Sequence, residues 1–327
     1  MPLKPFLTFA LLSTLTLSFI GCQQNPERYL FEENKAIELL HDQDSIATYG
    51  VFSDIHGETE KLKVLSKVMQ ERGVEGFIIL GDTPQNDVLR SGGRQLEGKD
   101  DTEEMIEAYT ILAKTEMPVL ILPGNHERKP EYQAAIKEVT AQYKNMIDLT
   151  QYRIVDGDDV DFISLPGYQI QQSAGQKFIP DDGYFADAET IAATGKLSQS
   201  FDDAVILLTH GPPKTSPDSN SPSISTYPHF GPGTLYNDSD VGDESTRNMM
   251  LENNLHFALS GHIHEAGGIA ATLEGKSLPE NQWTEELILN VGSLEDWTLL
   301  DGKKSQGMAA IVTIDGTKIK YEIIKLK

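Results

Sequence analysis

The sequence predicts an α/β fold for this 327-residue chain, on three observations. Apolar, strand-like runs recur and stop abruptly at Gly, Asp, Asn or His. Segments of helical period follow several of them. The chain then closes in two alternating runs across a turn signal. The recurring runs are IATYGVFSDIHG, GFIILGD, MPVLILPGNHE, AVILLTHGPP and HFALSGHIHE. Such alternation places strands in a sheet with helices packed on it. In sheets of that kind the loops beyond the strand carboxyl ends form the ligand crevice.

The elements follow in order. A lone Lys4 precedes a mostly apolar 15-residue run, Phe6 to Ile20, and then Gly21-Cys22. That is the layout of an export signal, and it is shorter than the ~20 residues that span a bilayer as a helix. The stretch SFIGC resembles the bacterial lipoprotein signal. The resemblance implies removal of residues 1–21, lipid on Cys22, and an exported protein anchored to a membrane of the cell envelope or periplasm. Cys22 is the sole cysteine, so no disulfide framework exists. Residues 22–45 are polar and charged, with a short helical-looking patch at Ile37, Leu39 and Leu40, and read as a tether in which His41 is solvated. The domain proper runs from 46 to 327. In it, KLKVLSKVMQER sets Leu62, Leu65, Val68 and Met69 on one helical face. DDTEEMIEAYTILAKT places Ile106, Tyr109, Ile111 and Ala113 in a helix that starts acidic and ends at Lys114. ELILNVGSLEDW supplies a further strand, and MAAIVTIDGTKIKYEIIKL a hairpin across Asp315-Gly316.

Composition bounds the function. With 39% hydrophobic residues the chain has a core to bury. Its net charge of −23, from 50 acidic and 27 basic residues, repels phosphate backbones and disfavours a nucleic-acid partner.

The strand ends carry Asp54, His56, Asp82, Asn125, His210, His262 and His264. Three oxygens and four imidazoles suit Mn, Fe, Co or Zn and are too rich in nitrogen for calcium. Seven groups exceed the needs of one ion, so two divalent ions are expected, with Asp82 as the natural bridge. In extended chain, residues i and i+2 point to one side, so Asp54 with His56 and His262 with His264 would each project as a pair.

These blocks resemble the pattern of the calcineurin-like metallophosphoesterase family: D-x-H at Asp54 to His56, G-D at Gly81-Asp82, G-N-H-E at Gly124 to Glu127, a later His210, and G-H-x-H at Gly261 to His264. The resemblance covers roughly residues 46 to 300. It implies a four-layer αββα sandwich of two mixed β-sheets flanked by helices. It also implies one cation on Asp54, His56, Asp82 and His264, and a second on Asp82, Asn125, His210 and His262. The expected reaction is hydrolysis of a phosphate ester, with hydroxide from the dinuclear centre attacking phosphorus in line and His126 assisting as the acid. The contrasting expectation is a binding protein of the cell envelope that keeps the metals and has lost turnover.

Departures narrow the substrate. GDTPQND lacks the Arg of the GDxVDRG stretch in protein Ser/Thr phosphatases, which disfavours phosphoproteins, and Gln85 stands where those enzymes carry the Asp supporting the acid histidine. Asp87 or another carboxylate would then have to substitute. No metal-binding Tyr of purple-acid type follows Asp82. Substrate choice falls to RSGGRQLEGKD and to the Pro/Ser-rich insertion after His210, which reads as a lid. Arg90, Arg94, Arg128 and Lys129 are candidates to grip a second phosphate or a carboxylate, and His229 and Tyr227 to stack on a base. His256 reads as structural. Asn290-Val291-Gly292-Ser293 resembles the family's supporting loop near the metals. The favoured substrate is a small phosphate ester, monoester or diester.

Overall fold

The computed structural model describes residues 28–42, 44–85, 100–169, 182–199, 201, 203–215, 221–225, 229–231, 234–236 and 239–326, with backbone alone from 229 to 239. The first element is a hairpin, β1 (Tyr29–Glu32) and β2 (Lys35–Glu38). One half of the domain follows: β3 (Ile46–Phe52), α1 (Thr59–Glu71), β4 (Gly76–Leu80), α2 (Asp101–Ala113), β5 (Val119–Leu122), α3 (Lys129–Gln142) and β6 (Met146–Asp148). The other half holds β7 (Ile154–Asp156), β8 (Asp161–Leu165), α4 (Ala188–Gly195), β9 (Val205–Thr209), α5 (Glu244–Glu252), β10 (Phe257–Ser260), β11 (Ala270–Ala271) and β12 (Leu287–Asn290). The chain returns to the first half as β13 (Met308–Asp315) and β14 (Lys318–Lys325).

These strands make a six-stranded sheet, ordered β14-β13-β3-β4-β5-β6, and an eight-stranded one, ordered β1-β2-β7-β8-β9-β10-β12-β11. Both are mixed: β3 to β6 run parallel with β13 antiparallel to β3, and β8, β9, β10 and β12 run parallel with β7 antiparallel to β8. Consecutive residues divide between layers, as the two-residue period of a strand requires. Val51, Ile78 and Leu120 face a core shared with Phe162, Ile206, Leu208 and Leu259 of the other sheet. Their neighbours Phe52, Phe77, Ile79 and Ile121 face Leu62, Leu65, Met105 and Tyr132 of the helices. On the far side Leu207, Ala258 and Ile288 pack on Ile191, Met249 and Met250 of α4 and α5. The result is the four-layer αββα sandwich. Each fully buried side chain of this size contributes about 1.5–3 kcal/mol.

Local signals explain the ends. Asp100, Asp187 and Asp243 each cap a helix by accepting from a backbone N–H in its first turn. The closing hairpin turns at Gly316, where φ is 55°, with Asp315 opposite Lys318. On α1 the predicted Leu62, Leu65 and Met69 are buried, with Val68 at the margin. On α2 the buried stripe is Met105, Ala108, Tyr109, Leu112 and Ala113, and Ile106 and Ile111 lie on its flank. A 3.6-residue stripe through Tyr109 passes through 105, 108 and 112, one position off the expected isoleucines.

The reading of residues 22–45 as a tether with a helical patch needs correction for its second half. Residues 29–38 are two strands, and β2 pairs in parallel with β7. Their charges are cross-linked: Arg28 Nε donates to Glu38 at 2.7 Å and Lys35 Nζ to Asp156 at 2.9 Å. His41 is exposed and meets Asp158 at 2.5 Å.

Candidate metal centre

Every candidate donor sits just past the carboxyl end of a strand. Asp54 and His56 follow β3, Asp82 follows β4, and Asn125 and His126 follow β5, three parallel neighbours in one sheet. His210 directly follows β9, and His262 and His264 follow β10, parallel neighbours in the other. The pairs do not project from extended chain. The backbone takes positive φ at Asp54 (50°), His56 (47°), Asp82 (54°) and His262 (67°). Non-glycine residues in this region cost about 1–3 kcal/mol each and persist where the surroundings over-determine them. Close packing does so here: a Cβ on Gly81 would lie 2.3 Å from the Gly124 nitrogen, and one on Gly124 2.2 Å from Asp82 Oδ1. Only glycine lets these two loops meet backbone to backbone.

The donors form two groups. In the first, His264 Nε2 lies 3.0 Å from Asp54 Oδ1 and 3.3 Å from His56 Nε2. In the second, His210 Nε2 lies 3.0 Å from Asn125 Oδ1, 3.1 Å from His262 Nδ1 and 3.1 Å from Asp82 Oδ2. Asp82 also clusters with His56 and His126, its Oδ2 3.6 Å from His126 Nε2, so one carboxylate faces both groups. Asp54, His56, Asp82, Asn125 and His210 are buried. The Nδ1–H of His210 donates to the Leu80 carbonyl at 2.8 Å, which turns its Nε2 toward two side-chain oxygens and a ring nitrogen. Only positive charge holds such a crowd together, and its mixture of imidazole, carboxylate and amide oxygen fits borderline divalent ions. The two groups have the capacity for two of them.

The electrostatics of the site carry the same demand for positive charge. Burial lowers His56 and His210, but the carboxylates of Asp54 and Asp82 outweigh it and push these imidazoles up to about 9 and about 10. Burial, reinforced by His210, pushes His262 down to about 3 and keeps it neutral. Burial alone would raise Asp54 and Asp82. Instead His264 beside the first, and His126 and His210 beside the second, hold both carboxyls below the usual range.

A further layer braces the donors. Glu127, fully buried, has no role legible in the sequence. Its carboxylate accepts from the backbone N–H of Thr83 and Gly124 at 2.8 Å and of Asp82 at 3.1 Å, which ties the GD and GNHE loops together. Burial and then the Asp82 charge push its pKa up to about 7 against the pull of those donors. Each buried donor left unpaired costs about 1–3 kcal/mol, so Glu127→Ala is expected to lower stability by roughly 3 kcal/mol or more. Denaturant melts of the metal-free protein measure this, and an unchanged midpoint would refute the bracing role. Asn290 supports the other side, as its loop suggests. Its Nδ2 donates to the carbonyls of Ile263 at 2.9 Å, Gly261 at 3.1 Å and Pro222 at 3.3 Å. Ser293 Oγ donates to the Asp54 carbonyl at 2.9 Å, and Glu295 Oε2 lies 3.5 Å from His264 Nδ1.

The other predicted residues divide. His126 stands beside the donors, its ring edge-on to His56 at 4.5 Å. Arg128 Nε donates to Asp182 at 2.8 Å, with Glu131 3.6 Å away, so its charge is spent in a local ion pair. Lys129 Nζ lies 5.9 Å from the Tyr184 ring. Gln85 gives its backbone N–H to Glu104 at 2.8 Å. The insertion after His210 is no mere excursion: Ser221, Ser223 and Ser225 are buried, and Ser225 Oγ donates to Glu265, next to His264. His256 is exposed and borders a cavity of about 560 Å³ at the opposite strand ends, which no candidate donor lines. Cys22, Asp87, Arg90, Arg94, Tyr227 and the His229 side chain lie outside the described residues.

A family model, "Calcineurin-like phosphoesterase", matches residues 47–266, a span holding every candidate donor. Among solved structures, the protein TT1561 of Thermus thermophilus aligns at 12% identity and TM-score 0.53, over 86% of this chain and 100% of that one. Another aligns at 12% identity and TM-score 0.57, with the same coverage of 86% and 100%. At these identities the likeness is one of fold alone. The metallophosphoesterase from Sphaerobacter thermophilus aligns at 13% identity over 86% of this chain and 89% of its own, with a TM-score of 0.36. No curated protein sequence matches the chain.

Proposed function

Since this chain belongs to the calcineurin-like phosphoesterase family and is a metal-dependent phosphoesterase, we propose that it hydrolyses a small phosphate ester at a centre organised around Asp82. The observation that carries this reading is that the Asp82 carboxylate faces both donor groups. Asp54, His56, Asp82 and His264 would hold one divalent ion, and Asp82, Asn125, His210 and His262 the other, drawn from Mn, Fe, Zn or Co. When bound, two such ions neutralise phosphate oxygens and lower the pKa of a water. The chain's own groups do the rest. The Asp54 carboxylate accepts the His262 backbone N–H at 2.8 Å and so aims the GHIH turn. The Leu80 carbonyl fixes the His210 tautomer. His126, beside the donors and partly open to solvent, protonates the leaving oxygen from its ring N–H.

The reading of a binding protein without turnover finds no support, since the donor groups are intact and His126 stands among them. Purified protein reconstituted with manganese should bind two ions per chain and cleave a chromogenic monoester or diester. Failure on both substrates at full metal occupancy would overturn the reading, and their ratio assigns the ester class.

We also place the mature protein in the cell envelope, held by lipid on Cys22 after loss of residues 1–21. The order Lys4, apolar run, Gly21-Cys22 supports this. Among the described residues no helix is long and apolar enough to cross a membrane. Cys22→Ser is expected to move the protein from the membrane to the soluble fraction, and unchanged fractionation would refute the anchor.

A further inference from the structure

The segment Gly167-Tyr168-Gln169 carries no motif, yet it touches three of the four turns that supply the second donor group. Gly167 donates its N–H to the Pro123 carbonyl at 2.8 Å, two residues before Asn125. The Gln169 carboxamide donates to Thr209 Oγ1 at 2.6 Å, at the step into His210. The Tyr168 ring lies on the His262 imidazole, centroids 4.1 Å apart and planes 34° apart.

The same ring also meets the chain just after His210. A Cβ on Gly211 would lie 2.9 Å from Tyr168 Cδ2 and Cε2 and 2.4 Å from Gln169 Oε1, so the backbone after His210 presses on the tyrosine. Tyr168 is therefore in contact both with the chain that carries His210 and with the ring of His262. His262 has need of support. Its backbone sits at φ 67°, and its Nδ1 must meet His210 Nε2 at 3.1 Å. A side chain meets such a demand only when packing locks its rotamer. The first donor group has no contact with Tyr168 among the described ring pairs, since His264 packs edge-on to Trp297 at 4.7 Å.

We propose that Tyr168 is a positioning residue for the second cation: its ring holds the His262 imidazole in ligating orientation, and Gly211 is glycine to admit that ring. The proposal rests on the two-ion reading above. Only the aromatic plane matters, so the hydroxyl is dispensable.

The test is calorimetric titration of metal-free protein with manganese, alongside circular dichroism to verify folding. Wild type takes up two ions. Tyr168→Phe keeps both affinities within about twofold, whereas Tyr168→Ala keeps the first and weakens the second by on the order of 10–100-fold, the usual effect of removing support behind a ligand. Gly211→Ala, which displaces the ring, shifts the second affinity in the same direction. Should Tyr168→Ala not fold, Tyr168→Leu fills the space without a plane and must show the same selective loss. A wild type with two ions and a Tyr168→Ala or Tyr168→Leu variant that binds both as tightly overturns the proposal alone. A wild type that takes up fewer than two ions overturns the two-ion reading and this proposal with it.

Discussion

Asp82→Asn is expected to empty both metal sites and to lower turnover by roughly 10³-fold or more. The substitution keeps the shape of the side chain and the acceptor oxygen that receives the His126 backbone N–H at 2.9 Å. It removes the one negative charge that faces both donor groups, 3.1 Å from His210 Nε2. Two-metal assistance supplies several kcal/mol to the transition state, and at ~1.4 kcal/mol per decade a loss of about 4 kcal/mol is roughly 10³-fold in kcat/KM. Metal content by elemental analysis and kinetics on the same preparation check it together. Retention of two ions by the variant would remove Asp82 from its bridging place.

The second large effect is expected at His126. His126→Gln should leave two ions bound and lower kcat by about 10²–10⁴-fold, the range for losing a positioned proton donor. Geometry makes the separation sharp. The link from residue 126 to Asp82 Oδ1 runs through the backbone N–H, which the variant keeps, while the ring that could deliver a proton is lost. The His126 imidazole also lies close enough to His56 and Asp82 to offer a ligand atom. A fall in metal content would therefore reassign it from acid to ligand.

Much of this centre was legible from residue order alone, because each donor falls immediately past an apolar run and strand ends of parallel sheets gather at one seam. How the donors converge was not legible. Asp54, His56, Asp82 and His262 turn inward through left-handed backbone, and no side-chain alternation rule reports φ. The bracing residues were hidden for a related reason. Glu127 and Tyr168 act through contacts with Thr83 and His262, 44 residues away in the first case; the GNHE block marks the place of Glu127 but not its bracing role, and nothing near Tyr168 marks it. Polar composition misled at one place. Arg28, Lys35 and Glu38 make 29–38 look like a solvated tether, although ion pairs let it serve as sheet. In the insertion read as a lid, the described Thr215, Ser221 and Ser223 satisfy one another's hydroxyls in the interior, pairings that residue order does not report.

Four of the seven candidate donors hang from one sheet and three from the other, with a largely apolar layer between the sheets. Neither half of the chain can assemble the pocket alone, so ion capture would wait until the halves have docked, and each bound ion would rivet them at one rim. Affinity for metal becomes a gauge of how well the sandwich is closed, and a bulky or truncated side chain deep in the interlayer would be felt at the chemistry without touching it.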